Sequence, residues 1–128
     1  MRAPVDDGEA FPRSFKQAVL TGKKRFQVLF EKGKPTGGPG IRLLAYKTDT
    51  GEPTLLAVCV SKRTGNAVER NRLKRITREA LASHLPRLLD GYYVALFPSK
   101  GFDRQDFARR VESLRKLFKN AGLFGKST

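Results

Sequence analysis

Thr54-Leu55-Leu56-Ala57-Val58-Cys59-Val60-Ser61 is apolar at both odd and even positions, the pattern of a strand covered on both faces. After the loop 62–65, Asn66 is a good helix cap. Glu69 three residues on completes a capping-box pattern, which predicts a helix from Ala67 to about Leu85. Pro86 and Asp90-Gly91 close that region. A further strand follows at Tyr92-Tyr93-Val94-Ala95-Leu96-Phe97, stopped by Pro98. Outward toward the N-terminus, Ile41–Lys47 reads as a strand with Arg42, Leu44 and Tyr46 on one face and Ile41, Leu43 and Ala45 on the other. Residues Thr48–Pro53 turn the chain.

Before that strand, Gly33–Gly40 holds four glycines and two prolines and reads as a mobile connection. In Lys23–Lys32 the apolar Phe26, Leu29 and Phe30 fall at i, i+3 and i+4, which predicts a first helix ended by Gly33. Asp103 is the expected cap of a last helix whose Phe107, Val111, Leu114 and Phe118 form a core-facing stripe ending near Gly122. The first dozen residues lack periodicity and read as a flexible arm, with Ser14 and Gln17 able to start a short helical turn. The order is helix, strand, strand, helix, strand, helix, an α+β arrangement of one small sheet covered by helices.

The chain has 128 residues, with 26 Lys and Arg against 12 Asp and Glu, a formal charge of +14. That length suits one hydrophobic core and excludes a second full-sized domain. One Cys and one His form neither an internal disulfide nor a four-ligand zinc site, so a reducing, intracellular setting is expected. The longest apolar run is six residues, far below a membrane span, and no signal-peptide pattern opens the chain, so the cytoplasm is the expected location.

The charge is focused. Residues 1–20 are neutral overall, whereas between Lys62 and Arg78 seven cations face Glu69 alone. Self-repulsion on this scale destabilises a fold, and a polyanion that releases counterions on binding relieves it. On a helical wheel Leu73, Ile76 and Ala80 lie together, Asn71, Arg75 and Arg78 point away, and Arg70, Arg72 and Lys74 flank the stripe. Arginine predominates, as suits bidentate contact with phosphate and stacking on bases. The reading is a nucleic-acid-binding face rather than a merely solvated one.

The run Ser61-Lys62-Arg63-Thr64-Gly65-Asn66-Ala67-Val68-Glu69-Arg70-Asn71-Arg72-Leu73-Lys74-Arg75 resembles the signature of the protein subunit of bacterial ribonuclease P, centred on Arg-Asn-Arg. Arg25–Phe30 followed by Gly33 is similar to the family's first helix, and Ala121-Gly122-Leu123 to its end. The resemblance covers about residues 20–123, leaving 1–19 as an N-terminal extension and 124–128 as a tail. It implies a two-layer α/β sandwich of order αββαβα with a left-handed βαβ crossover. It also implies a role in endonucleolytic removal of the 5′ leader from precursor tRNA, with catalysis by the RNA subunit and magnesium held mainly by that RNA.

By the same resemblance, Lys62, Arg63, Asn66, Arg70, Asn71, Arg72, Lys74, Arg75 and Arg78 face the RNA subunit. Phe26, Phe30, Arg42, Leu44 and Tyr46 line the cleft for the leader. Relatives commonly carry a tyrosine where this chain has Leu44, which offers no aromatic plane; Tyr46 lies two residues on along the same face. The competing class is a structural RNA-binding protein of the ribosome. A protein-only nuclease fits less well, because Asp49, Glu52 and Asp90 stand singly in loops. No residue of this chain is assigned a catalytic role. His84 and Cys59 read as structural, and the basic residues of the last helix as a solvated face with RNA contact as the alternative.

Overall fold

A computed structural model describes residues 19–124. The expected N-terminal arm, its turn at Ser14 and the last four residues lie outside that range. The described elements are α1 (Lys23–Lys32), β1 (Lys34–Gly38), β2 (Ile41–Lys47), β3 (Leu55–Val58), α2 (Ala67–Leu81), β4 (Tyr92–Pro98), α3 (Lys100–Asp103) and α4 (Phe107–Asn120). Short 3-10 turns at Lys62–Thr64 and Ala82–Arg87 flank α2.

The sheet has the order β1-β2-β4-β3. β2 runs antiparallel to both β1 and β4, and β3 runs parallel to β4 across the helical connection through α2. Pleat alternation then separates two layers of packing. Ile41, Leu43, Leu56, Val58, Val94 and Leu96 meet α2 and α4 through Leu73, Ile76, Leu114, Leu117 and Phe118. Fully burying each such side chain contributes about 1.5–3 kcal/mol. On the opposite face Ala57 and Ala95 pack with Leu20, Phe26 and Leu29 under the short α1.

The mixed α+β class follows the sequence reading, but the order does not. Gly33–Gly40 is not a mobile connection: it contains β1, paired from Lys34↔Ala45 to Gly38↔Ile41. An edge strand tolerates Pro35, whose missing N–H removes a ladder donor, and the packing of β1 beside α4 outweighs its poor composition. Gly40 turns the hairpin at φ 74°, and a Cβ there would lie 2.6 Å from the Phe102 nitrogen. A second difference is α3, capped by Ser99, whose hydroxyl accepts the Gly101 N–H at 3.2 Å. Asp106, not Asp103, caps α4 by accepting the Arg109 N–H at 2.8 Å. The buried stripe of α4 accordingly runs through Arg110, Ser113, Leu114, Leu117 and Phe118, and Phe107 is exposed.

His84 is buried where the α2 end meets α4 and the chain end. Its Nε2–H donates to the Val111 carbonyl at 2.9 Å, and its ring meets Phe118 edge-on at 6.0 Å and Phe124 at 5.6 Å. Burial lowers its pKa, as do the positive charges of Arg87 and Arg115; the Val111 bond and Glu112 oppose this less strongly. The unfolded chain therefore binds the proton more readily, and the cost of folding a protonated ring grows as pH falls below the ordinary histidine value. Urea unfolding of the protein is expected to show stability decreasing from pH 7 to 5, with a smaller decrease in His84→Gln. Equal pH slopes for the two proteins would remove this role.

Candidate nucleic-acid interface

The start of α2 is built as the spacing predicted. The Asn66 N–H donates to Glu69 Oε1 at 2.9 Å, and the Glu69 N–H donates to Asn66 Oδ1 at 2.8 Å. Asn66 thus spends its side-chain oxygen on the cap, although the residue stays exposed. Lys62 and Arg63 are exposed on the preceding turn, and Asn71, Arg72 and Arg75 are exposed along the helix. Arg70 is half-buried and donates to the Gly65 carbonyl at 3.1 Å, bracing the loop that carries Lys62 and Arg63.

Two of the outward cations touch carboxylates. Arg72 Nε lies 3.1 Å from Asp103 Oδ1 on α3, and an Arg75 guanidinium nitrogen lies 3.2 Å from Glu79 Oε2. Exposed pairs of this kind contribute about 0–1 kcal/mol, so a phosphate can take either arginine from its partner. Lys74 is half-buried close enough to Cys59 to lower its thiol pKa, but burial dominates and pushes it up to about 11. The thiol stays protonated, consistent with a small packed side chain.

Arg78 corrects the helical-wheel reading. It is 2% exposed rather than part of the outward face, because tertiary packing, which a wheel of the isolated helix does not include, covers this flank of α2. The outward set is therefore Lys62, Arg63, Asn71, Arg72 and Arg75, with Arg70 and Lys74 at its margin.

The second surface lies across the sheet, where α1 leans over β2 and β4. Phe26 and Phe30, taken together from sequence, divide: Phe26 is buried beside Leu29, whereas Phe30 is 55% exposed. Their rings stack at 5.9 Å with 27° between planes. Phe30 continues to Phe97 at 6.3 Å, and the Arg42 guanidinium carbon sits 5.9 Å from the Phe97 ring centre. Tyr46 and Tyr93 pair at 6.1 Å. Leu44 is half-buried beneath the end of α1; a Cβ on Gly33 would come 2.8 Å from its Cγ, so the glycine lets the helix settle on this leucine.

Phe97 and Tyr93 are the residues that sequence reasoning missed. They stand directly opposite Arg42 and Tyr46 in the antiparallel register. The period-two order Tyr93, Ala95, Phe97 carried the signal once β4 was paired with β2. Exposed Lys23, Lys24, Lys32 and Lys34 belong to α1 and β1, the elements beside this strip. Ring faces with cations alongside suit a flexible polyanion whose bases are free to stack. Among the described residues no three His, Cys, Asp or Glu side chains gather where they could hold a metal ion, and no helix is long and apolar enough to cross a membrane.

Comparison with known proteins supplies the family. The model of the family described as Ribonuclease P matches residues 15–122. A ribonuclease P protein component from Gluconacetobacter diazotrophicus is 34% identical over 107 residues, which span 83% of this chain and 92% of the relative. The fold is similar to that of a Staphylococcus aureus RNase P protein mutant with defective mRNA degradation activity. That match has TM-score 0.75 and 23% identity, covering 87% of this chain and 93% of the other, and bears on the fold. The RNase P protein from Thermotoga maritima matches with TM-score 0.68 and 27% identity, over 80% of this chain and 96% of the other. With the family model matched over residues 15–122, the Arg70-Asn71-Arg72 run among them, the chain belongs to the ribonuclease P protein family.

Proposed function

We propose that the protein serves the ribonuclease P holoenzyme through two surfaces on opposite sides of its sheet. The exposed face of Lys62, Arg63, Asn71, Arg72 and Arg75 binds the RNA subunit, with Asn66, Arg70 and Lys74 shaping that face. The strip of Phe30, Phe97, Arg42, Tyr46 and Tyr93 holds the 5′ leader of precursor tRNA. Phe26 and Leu44 support the strip from below. The observation that carries this reading is the aromatic strip lying across the sheet from the exposed cations of α2.

The chemistry follows from the two grips. Guanidinium and ammonium groups replace counterions along the RNA subunit, which gives a strongly salt-dependent affinity. Rings accept unpaired leader bases by stacking, which tolerates any sequence because each base has a π-face. The leader is then held while the RNA subunit performs the endonucleolytic cut that frees the mature 5′ end. Magnesium is placed mainly on the RNA, and no step is assigned to an ion held by protein side chains. The setting proposed is the cytoplasm.

The experiment is reconstitution with the cognate RNA subunit at low magnesium. Arg63→Ala and Arg72→Ala are each expected to lower affinity for that RNA and to reduce the slope of log affinity against log salt by about one. An unchanged slope in both variants, with cleavage of precursor tRNA unimproved by the intact protein, would refute the RNA-subunit surface.

Phe30→Ala tests the other surface. Because the ring is more than half exposed, the variant is expected to keep its fold while weakening precursor tRNA binding by about 5- to 150-fold, the range of one lost base stack. Mature tRNA binding, read in the same titration, is expected to be unchanged. Equal losses for precursor and mature tRNA would assign Phe30 to the core instead.

A further inference from the structure

α4 opens with a phenylalanine that the core does not cover. Phe107, Val111, Leu114 and Phe118 share one side of the helix, and the last three are buried or half-buried, whereas Phe107 is 54% exposed. That side faces α2. Arg72, early in α2, meets Asp103 just before α4 at 3.1 Å, and His84, just past the end of α2, donates to the Val111 carbonyl. The two helices therefore run in the same direction, and Phe107 lies along their seam between the levels of Arg72 and His84. Its exposure puts the ring at the outer rim of that seam.

Single exposed apolar side chains are ordinary, so the neighbours of this one decide its meaning. Arg72 brings a guanidinium across to α3 while staying half exposed. Lys100 on α3 and Arg104 in the turn before α4 are exposed. A groove of about 170 Å³ joins them to the loop of the α2 face, with Thr64, Glu69 and Leu73 on one side and Lys100, Asp103 and Arg104 on the other. The carboxylates here are already engaged: Glu69 and Asp106 cap helices, and Asp103 meets Arg72. An open ring edged by guanidinium groups is the combination that Phe30, Phe97 and Arg42 form on the other side of the sheet.

We infer that the RNA-binding face continues from α2 across the seam, where the Phe107 ring stacks on an unpaired base of the RNA subunit and Arg104 pairs with a neighbouring phosphate. The inference rests on the assignment of the α2 face to that RNA. A second copy of this chain would bring the same cations and a net charge of +14 against them, whereas RNA brings phosphates and open π-faces together. The α2 face then grips by charge, and Phe107 adds a contact that does not depend on salt.

The test is a titration of the full chain with its cognate RNA subunit. The chain has no tryptophan, so Phe107→Trp carries a single indole fluorophore. Its emission is expected to be quenched as RNA binds, with affinity retained. Phe107→Ala is expected to lower affinity by about 5- to 150-fold and to leave the slope of log affinity against log salt unchanged, because a stack displaces no counterion. Arg104→Ala is expected to reduce that slope by about one. Emission from Phe107→Trp that RNA binding leaves unchanged would overturn the inference, even where Phe107→Ala fails to fold. If Arg72→Ala still weakens binding in that case, the α2 face stands without its extension; if Arg72→Ala binds normally, the α2 assignment fails as well. Quenching that appears on concentrating the protein without RNA would overturn the inference in favour of a second copy.

Discussion

The antiparallel pairing of β2 with β4 is the constraint on which both surfaces depend. Its register sets Leu43 against Leu96 on the side of α2 and α4, and Arg42 against Phe97 and Tyr46 against Tyr93 on the side of α1. A slip of β2 by one residue would turn Leu43 away from α2 and α4 and bury the guanidinium of Arg42 among apolar side chains. Burial of one set of side chains and presentation of the other are thus two results of one pleat.

The cations are held with similar economy. Asn66 and Glu69 satisfy the first turn of α2 by themselves, and Arg70 braces the loop through the Gly65 carbonyl. These contacts stabilise the first turn of a helix dense in positive charge. The nearby carboxylates of Asp103 and Glu79 meet Arg72 and Arg75 at exposed positions, where a polyanion competes easily. The electrostatic cost remains in the free protein and is relieved on binding RNA, which couples affinity to salt.

Much of this was legible in local sequence. The capping box, the Phe26 and Leu29 stripe and the two faces of β2 follow from spacing alone, because each depends on residues a few positions apart. What escaped depends on distant partners. β1 looked like a connection because glycine and proline are poor strand formers, yet an edge position beside α4 needs little from its side chains. Arg78 lies on the outer arc of an isolated α2 wheel, and only tertiary packing buries it. Asp103 and Asp106 are equally good caps in composition, and the short α3 claims the first. Phe97 and Tyr93 had the right alternation, but their role required knowing which strand lies opposite.

The division of labour between the two faces is tested most directly by site-specific photocrosslinking in the assembled holoenzyme with precursor tRNA. A benzophenone side chain at position 97 is predicted to label nucleotides of the 5′ leader, and one at position 75 to label the RNA subunit. Leader labelling from position 75 with none from position 97 would contradict that division.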